Sequence, residues 1–352
     1  MHLLDVKAFC VGPFRDVSLP FCDDDGEPRL LTVVHGGGGV GKTTLAAAIA
    51  STRPGHCIVP QRELTRGARH DGPPRIVCEW RLGIDDPDRP HGLVMASPNT
   101  RVFDSEDEEA LRRREQVLFD RVAREGGFAF VAIPATRWFS RQPVALVAPA
   151  RTVATFDVRS AASFDDTARA DLARETKQAL AYAAVSAALC AVDGPEARRF
   201  RRLGEAMQDA VDALVSLAGF SYGGLDPLSL EPVFRTGQAP SLPFDAIPTR
   251  ARHLAAFAAL AVRALAAAHP QRDPREAEGV VVIDEADLYQ DPAVQAALPA
   301  ALRRALPAVQ WILTTTSPTM AGSCDTREVL ALRQLPELDR VELYTGFSAR
   351  TH

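Results

Sequence analysis

Lysine is scarce in this sequence. Lys7, Lys42 and Lys177 are the only lysines among the 40 Lys and Arg residues. The six cysteines are scattered and include no C-x-x-C pair, so their spacing supports neither a disulfide scaffold nor a zinc site. We therefore expect reduced thiols, and a lysine inside a chemical motif stands out against an arginine-rich background.

Targeting signals and long apolar runs are also missing. The first ten residues lack the basic start and the apolar core of a secretory signal. The longest apolar stretches, 179–192 and 254–268, are shorter than a membrane span, and Arg263 interrupts the second. We expect a cytoplasmic protein that has no membrane partner.

Neither sign of charge is in large excess. The 45 acidic residues outnumber the basic ones by enough to give a formal net charge of −5. This balance argues against wholesale binding to nucleic acid, although a local basic patch would be hidden in the average. Nucleic acid is therefore neither implied nor excluded as a partner. The length of 352 residues allows one large globular domain or two ordinary ones.

The most informative stretch is a glycine-rich turn between a strand pattern and an alanine-rich helix pattern. Residues 36–43 fit G-x-x-x-x-G-K-[ST] without a mismatch. Glycines let backbone N–H groups turn toward a polyphosphate, and the following helix points its positive end at the anion. The predicted nucleotide-binding residues are Gly36, Gly37, Gly38, Gly39, Val40, Gly41, Lys42, Thr43 and Thr44.

A second chemical signal follows four β-branched residues at 280–283. Such a run predicts a strand buried on both faces of a parallel sheet, and Asp284 and Glu285 come at its carboxyl end. Asp284 and Thr43 are expected to hold Mg²⁺, and Lys42 is expected to contact the β and γ phosphates. Glu285 is expected to act as the general base toward water. The alternative is an acidic turn that only caps the next helix.

A third signal is the apolar run at 309–313 that ends in three threonines and a serine. Thr316 is placed to sense a γ phosphate or, alternatively, to cap the backbone. Lys42 and Asp284 lie far apart in sequence, with a helical segment between them. This order is typical of an ABC-type ATPase head with ATP and Mg²⁺ as its cofactors.

The expected fold class is α/β, a P-loop NTPase of ABC type with a mixed sheet flanked by helices and a small helical lobe. Residues 1–160 and 249–352 would form the two parts of the ATPase core, and residues 161–248 the helical lobe with a proline-rich connector. The patterns predict strands at 2–9, 16–21, 31–34, 74–83, 91–96, 128–133, 280–283, 329–332 and 340–343, and a strand within 309–318. They predict helices at 45–50, 104–126 and 249–268, and a helical hairpin at 164–218 that breaks near Gly194.

Both ends of the chain resemble known ATPases. The run DEADLYQDPAVQAALPAALRRALPAVQWILTTTSP, from Asp284, is similar to the end of the ATPase in the RecF, SMC and overcoming-lysogenization-defect families. The opening VKAFCVGPFRDVSLPF resembles their first strands. This resemblance implies an ATP-dependent homodimer in which two heads enclose two nucleotides, and a protein partner that carries the effector activity. Lys42, Thr43, Asp284 and Glu285 match the families' motifs directly.

The chain departs from these families at two motifs. Ile247, Pro248, Thr249 and Arg250 stand where the families have a serine- and glycine-containing signature, and Thr316 stands at their switch histidine. Either ATP turnover is therefore slow, or Arg250 and Thr316 supply the hydrogen-bond donors that the missing motif residues would give to the nucleotide. Arg250 is either an arginine that acts on the partner's nucleotide or an ordinary arginine at a helix N-terminus.

Other polar residues have less specific patterns. Arg137 is expected to pair with an internal carboxylate or to approach the nucleotide. His35 and His253 lack metal-ligand companions and are expected to be structural. Gln61 and Gln142 are equal candidates for a glutamine that couples the two lobes of the head.

The sequence thus predicts an ATP-binding, ATP-hydrolysing ABC/RecF-like ATPase that transmits its nucleotide state to a partner or dimer mate, in a process such as DNA maintenance or genome defence. A nucleotide-gated switch without hydrolysis is the main alternative, and an AAA- or STAND-type ATPase is a weaker one.

Overall fold

The computed structural model of the protein describes residues 1–52, 74–81, 93–97, 105–107, 109–110, 113–114, 128–148, 171–190, 194–238, 241–335 and 340–349. In these ranges the strands are β1 (His2–Val11), β2 (Phe14–Pro20), β3 (Leu31–Gly36), β4 (Arg75–Arg81), β5 (Leu93–Ser97), β6 (Phe130–Ile133), β7 (Ser221–Leu225), β8 (Pro232–Arg235), β9 (Leu242–Pro243), β10 (Gly279–Ile283), β11 (Val309–Thr315), β12 (Val329–Leu335) and β13 (Arg340–Thr345). The helices are α1 (Lys42–Ser51), α2 (Ala173–Leu189), α3 (Pro195–Val215), α4 (Thr249–Ala268), α5 (Pro292–Ala305) and α6 (Pro318–Ser323).

The strands form three sheets. The central sheet has six strands in the order β13-β12-β3-β11-β10-β6, and all neighbours are parallel except β12 and β13. A four-stranded antiparallel sheet has the order β2-β1-β4-β5. A small antiparallel sheet has the order β7-β8-β9.

The central sheet is buried on both faces, which explains its unbroken apolar strands. In β10, Val281 and Ile283 pack into a core shared with α2, α3 and α4, while Val280 and Val282 pack into a second core shared with α1 and the four-stranded sheet. Side chains alternate between the faces of a strand, so a strand covered on both sides needs apolar residues at every position. The carboxyl ends of β3, β10 and β11 consequently meet at one edge, where the glycine-rich loop begins.

A buried glutamine joins the two larger sheets. Gln310 of β11 is fully buried, accepts a hydrogen bond from the backbone N–H of Leu3 at 2.7 Å, and donates to the carbonyl of Leu3 at 2.9 Å. The amide side chain thus pairs with β1 as another strand would. Since both polar groups are satisfied, this glutamine can lie in an apolar interior.

Most predicted elements are present. The mixed sheet with flanking helices is confirmed, as are the helix at 249–268 and the hairpin, whose helices α2 and α3 are separated near Gly194. Most of the helix predicted at 104–126 lies outside the described residues. The division of the chain into three segments stays a prediction.

The proline-rich stretch at 227–248, which shows no clear period in the sequence and was predicted to be a connector, contains regular structure. This segment contains β8, β9 and a 3₁₀ turn at Phe244–Ala246, and β8 pairs with both β7 and β9. Prolines are compatible with such a small sheet because they lie at strand ends, where no ladder hydrogen bond is needed from their nitrogen. Phe234 and Phe244 are fully buried, and their side chains anchor the segment in the hydrophobic core.

Helix α4 is both long and apolar. By length and composition it would be able to cross a membrane, but 83% of its most apolar window is buried inside the protein. It packs against α2, α3 and β6. The apolar character of α4 is therefore that of a core helix.

Candidate functional site

The loop between β3 and α1 has the backbone that its glycines require. Gly39 and Gly41 have φ values of 81° and 96°. A Cβ on Gly41 would lie 2.6 Å from the ring of Pro13, and one on Gly36 would lie 2.6 Å from the carbonyl oxygen of Leu332. Side chains at Gly37, Gly38 and Gly39 would meet nothing in the described structure. The loop is thus tightly held at its base and open at its rim.

Lys42 lies under this rim. Its Nζ donates hydrogen bonds to the carbonyls of Gly36, at 2.8 Å, and Gly37, at 2.7 Å. The side chain is buried, and burial lowers the pKa of the ammonium, against the opposing influence of Glu285 and Asp284. A partly desolvated ammonium group at the loop is well suited to bind a polyphosphate.

Thr43 and Asp284 are brought into direct contact. Thr43 Oγ1 donates to Asp284 Oδ2 at 2.8 Å, and Thr314 Oγ1 donates to Asp284 Oδ1 at 2.5 Å. Asp284 is fully buried, and burial raises the pKa of its carboxyl group. The fold therefore joins the glycine-rich loop to the carboxyl end of β10 through the two residues predicted to hold Mg²⁺.

Glu285 follows in an unusual backbone conformation. Its φ is 47°, in the left-handed region that is rare for residues other than glycine. Burial, and then the neighbouring Asp284, raise the pKa of its carboxyl group. In the part of the chain that the structure describes, no side-chain hydrogen bond holds this carboxylate. A raised pKa makes it a stronger base toward water.

Arg137 does not approach the loop as a free cation, and it pairs with carbonyls instead of an internal carboxylate. It is buried, and its Nη1 donates to the carbonyls of Asp284, at 2.6 Å, and Pro134, at 3.1 Å, while Nη2 donates to the carbonyl of Glu285 at 2.7 Å. Burial lowers the pKa of its guanidinium to about 10, so the group stays charged at neutral pH.

Thr315, the last residue of β11, and the following Thr316 both bind the carboxylate of Asp287. Thr315 Oγ1 donates to Asp287 Oδ1 at 2.6 Å, and Thr316 Oγ1 donates to Asp287 Oδ2 at 3.2 Å. Thr316 is exposed, so its hydroxyl is accessible as the sensor hypothesis requires. Its role toward a phosphate stays a prediction.

The segment at the predicted signature position begins α4. Pro248 is the N-cap, and Arg250 lies in the first turn, where Nη1 binds Asp291 Oδ2 at 2.9 Å. The Arg250 side chain is 41% exposed. The position at a helix N-terminus is confirmed, whereas action on a second molecule's nucleotide stays a prediction.

The remaining candidates lie away from this arrangement or are structural. His253 is buried, hydrogen-bonds through Nδ1 to the carbonyl of Thr249 at 2.8 Å and stacks on Tyr289. His35 lies near the end of β3 with its ring half-buried, and burial lowers its pKa. Gln142 is exposed and its carbonyl accepts from Lys177. Gln61 lies outside the described residues.

The site has the ligand types that ATP and Mg²⁺ need. The ten-residue helix α1 begins at Lys42 and directs its amino end at the loop, which suits a phosphate. Thr43 supplies a hydroxyl oxygen and Asp284 a carboxylate oxygen. Mg²⁺ prefers oxygen ligands, and beside phosphate oxygens it usually binds only a few from the protein. Among the described residues there is no cluster of three or more His, Cys, Asp or Glu side chains for a different metal.

Solved structures with the same architecture are head domains of SMC proteins. A crystal structure of an SMC head bound to the C-winged helix domain of ScpA aligns with a TM-score of 0.55 at 12% identity, over 98% of this chain and 98% of that chain. The fold is that of an SMC head. An SMC head with an extended coiled coil, bound to the C-terminal domain of ScpA from Pyrococcus furiosus, aligns with a TM-score of 0.52 at 14% identity, over 98% and 96% of the two chains.

The SMC-head fold confirms the predicted α/β class. Similarity at 12–14% identity establishes the fold and leaves activity to be argued from the site. No protein-family model matches the chain, and no curated protein matches it in sequence.

Sequence patterns missed Thr314 and Asp287, and they left the role of Arg137 open. Thr314 is the residue that contacts both Asp284 and the backbone of Glu285. Its position at the end of a buried strand was visible, but a threonine there has no distinctive spacing. Only the parallel pairing of β10 with β11 places it beside the carboxylates.

Proposed function

We propose that this protein is an ABC-type ATPase that binds ATP and Mg²⁺ at the glycine-rich loop and transmits its nucleotide state to a second protein molecule. The observation that carries the proposal is the contact between Thr43, which directly follows Lys42 in the sequence, and Asp284, which directly precedes Glu285. P-loop ATPases divide nucleotide binding, metal binding and water activation among these residue types.

Each residue has a definite task in the proposed reaction. The loop N–H groups and Lys42 bind the β and γ phosphates, and Thr43 and Asp284 hold the metal. Mg²⁺ supplies charge neutralisation at the phosphates when it is bound. Glu285 accepts a proton from the attacking water, and its raised pKa favours that transfer. The Thr316 hydroxyl, which donates its hydrogen bond to Asp287 in the structure, donates it to the γ phosphate when ATP is bound.

Nucleotide binding is tested by Lys42→Ala. The change removes the cation beneath the loop rim and should weaken ATP binding about a hundredfold, a cost of roughly 3 kcal/mol. Isothermal titration calorimetry with ATP and Mg²⁺ measures this affinity. Arg340→Ala, on an exposed ion pair of β13, is the control and should bind as wild type. Equal affinity in wild type and Lys42→Ala would refute the binding site.

Hydrolysis is tested by Glu285→Gln. The amide keeps the shape of the side chain but removes the base, so phosphate release should fall by roughly 10² or more with ATP affinity retained. The variant should then accumulate an ATP-dependent homodimer, measured by light scattering. If turnover falls and no dimer forms at any ATP concentration, the site hydrolyses ATP without a second head.

A nucleotide-gated switch without hydrolysis is the second candidate function. It is favoured by residues 247–250, which offer neither a serine hydroxyl nor a glycine at the start of α4. Wild-type turnover no higher than that of Glu285→Gln would select this function. The AAA- or STAND-type alternative has less support, because the SMC-head likeness extends over 98% of the chain.

The proposed partner is a protein. Two of the similar head domains were solved with ScpA domains bound to them, and we infer that this head likewise acts through an effector protein or a dimer mate in the cytoplasm. A role in DNA maintenance or genome defence is consistent with that arrangement.

A further inference from the structure

We propose that Arg137 and Thr314 are positioning residues that hold the Asp284–Glu285 backbone with Glu285 in a left-handed conformation, so that Asp284 contacts Thr43 and the Glu285 side chain projects from the carboxyl end of β10. The inference rests on the proposed function, since it assigns the two residues a task in the same site. It adds two groups that act through the carboxylates without contacting nucleotide.

The strained position needs an external restraint. Glu285 has φ 47°, and a residue with a Cβ leaves this region unless its surroundings hold it there. Nothing in the local sequence favours it, because glycine and asparagine are the residues that usually adopt it. The restraint must therefore come from contacts with other elements.

Hydrogen bonds grip Glu285 from two sides. Its N–H donates to Thr314 Oγ1 at 2.8 Å, and its carbonyl accepts from Arg137 Nη2 at 2.7 Å. The adjacent carbonyl of Asp284 accepts from Nη1 of the same guanidinium at 2.6 Å. A planar guanidinium with two bonded nitrogens fixes the relative orientation of the two carbonyls.

The threonine hydroxyl also selects one orientation of Asp284. A hydroxyl has one proton to donate, and Thr314 gives it to Asp284 Oδ1 while accepting from the N–H of Glu285. Oδ2 is left to Thr43. The Thr314 side chain thus fixes both the backbone conformation of Glu285 and the orientation of the Asp284 carboxylate.

The clamp is anchored in the core. Arg137 is 2% exposed and its guanidinium lies 5.3 Å from the ring centre of Phe257 in α4, and Thr314 is 1% exposed in β11. Buried hydrogen bonds, such as those of the two Nη atoms of Arg137 and of the Thr314 hydroxyl, hold a geometry more firmly than exposed ones. The position of the carboxylates is therefore tied to both β11 and α4.

The first test compares threonine variants in ATP turnover. Thr314→Val keeps the shape but loses both bonds, and we expect kcat to fall at least tenfold with KM for ATP changed less than threefold. Thr314→Ser keeps the hydroxyl and should restore kcat to within threefold of wild type. Thr32→Val is the matched control, since Thr32 is fully buried in β3 and its hydroxyl has no hydrogen-bond partner in the described structure.

Arginine variants complete the turnover test. Arg137→Lys retains the charge but cannot bind two carbonyls with a planar fork, so kcat should fall while KM stays near its wild-type value. The clamp is refuted if folded Thr314→Val keeps kcat within twofold of wild type. It is also refuted if Thr314→Ser loses as much activity as Thr314→Val.

A stability cycle tests the clamp without any turnover. Glycine enters the left-handed region freely and alanine does not, so Glu285→Gly should melt a few degrees above Glu285→Ala. In the Thr314→Val background residue 285 can relax, and this difference should fall by half or more. An unchanged difference in the two backgrounds overturns the clamp. If the wild type hydrolyses no ATP, the proposed ATPase activity is refuted. The melting temperatures of these variants then test the clamp by themselves.

Discussion

At the scale of single residues, the sequence predicted those side chains whose chemistry is encoded by local spacing. Lys42 and Thr43 come directly after their glycines, and Asp284 and Glu285 directly after their strand, so no tertiary information was needed. Arg137 acts on the backbone of residues about 150 positions away. Its partners are carbonyl groups, which every residue has, and no sequence pattern can therefore indicate them.

His253 makes the stability of the protein depend on pH. Burial lowers the pKa of its ring to about 3, far below the ordinary 6.5. The folded state thus disfavours the protonated ring, and stability that is complete above pH 6.5 is lost as the pH falls toward 3.

We expect His253→Phe, which has no proton to bind, to be less sensitive to acid than wild type. Below about pH 6 the wild type should lose up to about 1.4 kcal/mol of unfolding free energy per pH unit relative to the variant. Urea denaturation at several pH values between 7.5 and 5 measures both proteins. The lost bond to the Thr249 carbonyl adds an offset that is independent of pH. A constant difference between the two proteins over this range would contradict the expectation.

At the scale of elements, strands buried on both faces were predictable because their apolar residues are consecutive. The small sheet of β7, β8 and β9 was not predictable, because β8 has only four residues and β9 only two. Strands that short have no period to detect, and the prolines between them are typical of loops. Their position is decided by tertiary contacts, among them the ion pairs of Lys177.

Lys177 joins α2 to the small sheet and to the turn before α4. Its side chain is 1% exposed, and Nζ contacts Asp245 Oδ2 at 2.7 Å and Glu231 Oε2 at 3.0 Å. Lys177→Met should destabilise the protein by about 3 kcal/mol, because it leaves two carboxylates without their cation in a largely buried place.

Chemical denaturation measures the effect of Lys177→Met, with Arg340→Ala as control. Arg340 forms an exposed pair with Glu342, and such pairs contribute about 0–1 kcal/mol. A change in Lys177→Met as small as that of the control would show that the buried pairs do not hold the small sheet in place.

At the scale of the whole molecule, the net charge of −5 bears on the question of nucleic acid. We expect any DNA binding by the isolated protein to be weak. As the salt concentration is raised, binding should be lost before about 200 mM, because a protein of this charge binds DNA mainly through salt-sensitive contacts to phosphates. Fluorescence anisotropy with a duplex at increasing salt concentrations measures this. Tight binding that persists at higher salt would show that a local basic surface outweighs the average charge.

The strand order of the central sheet also has a consequence for the order of events during synthesis. The strand that leads into the glycine-rich loop, β3, lies between β11 and β12, whose residues are translated about 280 and about 300 positions later. At ordinary elongation rates that delay is on the order of 15–60 s. During this time β3 has neither of its neighbours, and its apolar residues have no sheet to join. ATP in the cell therefore meets a loop whose leading strand is paired on both sides only after residues 309–335 have been synthesised.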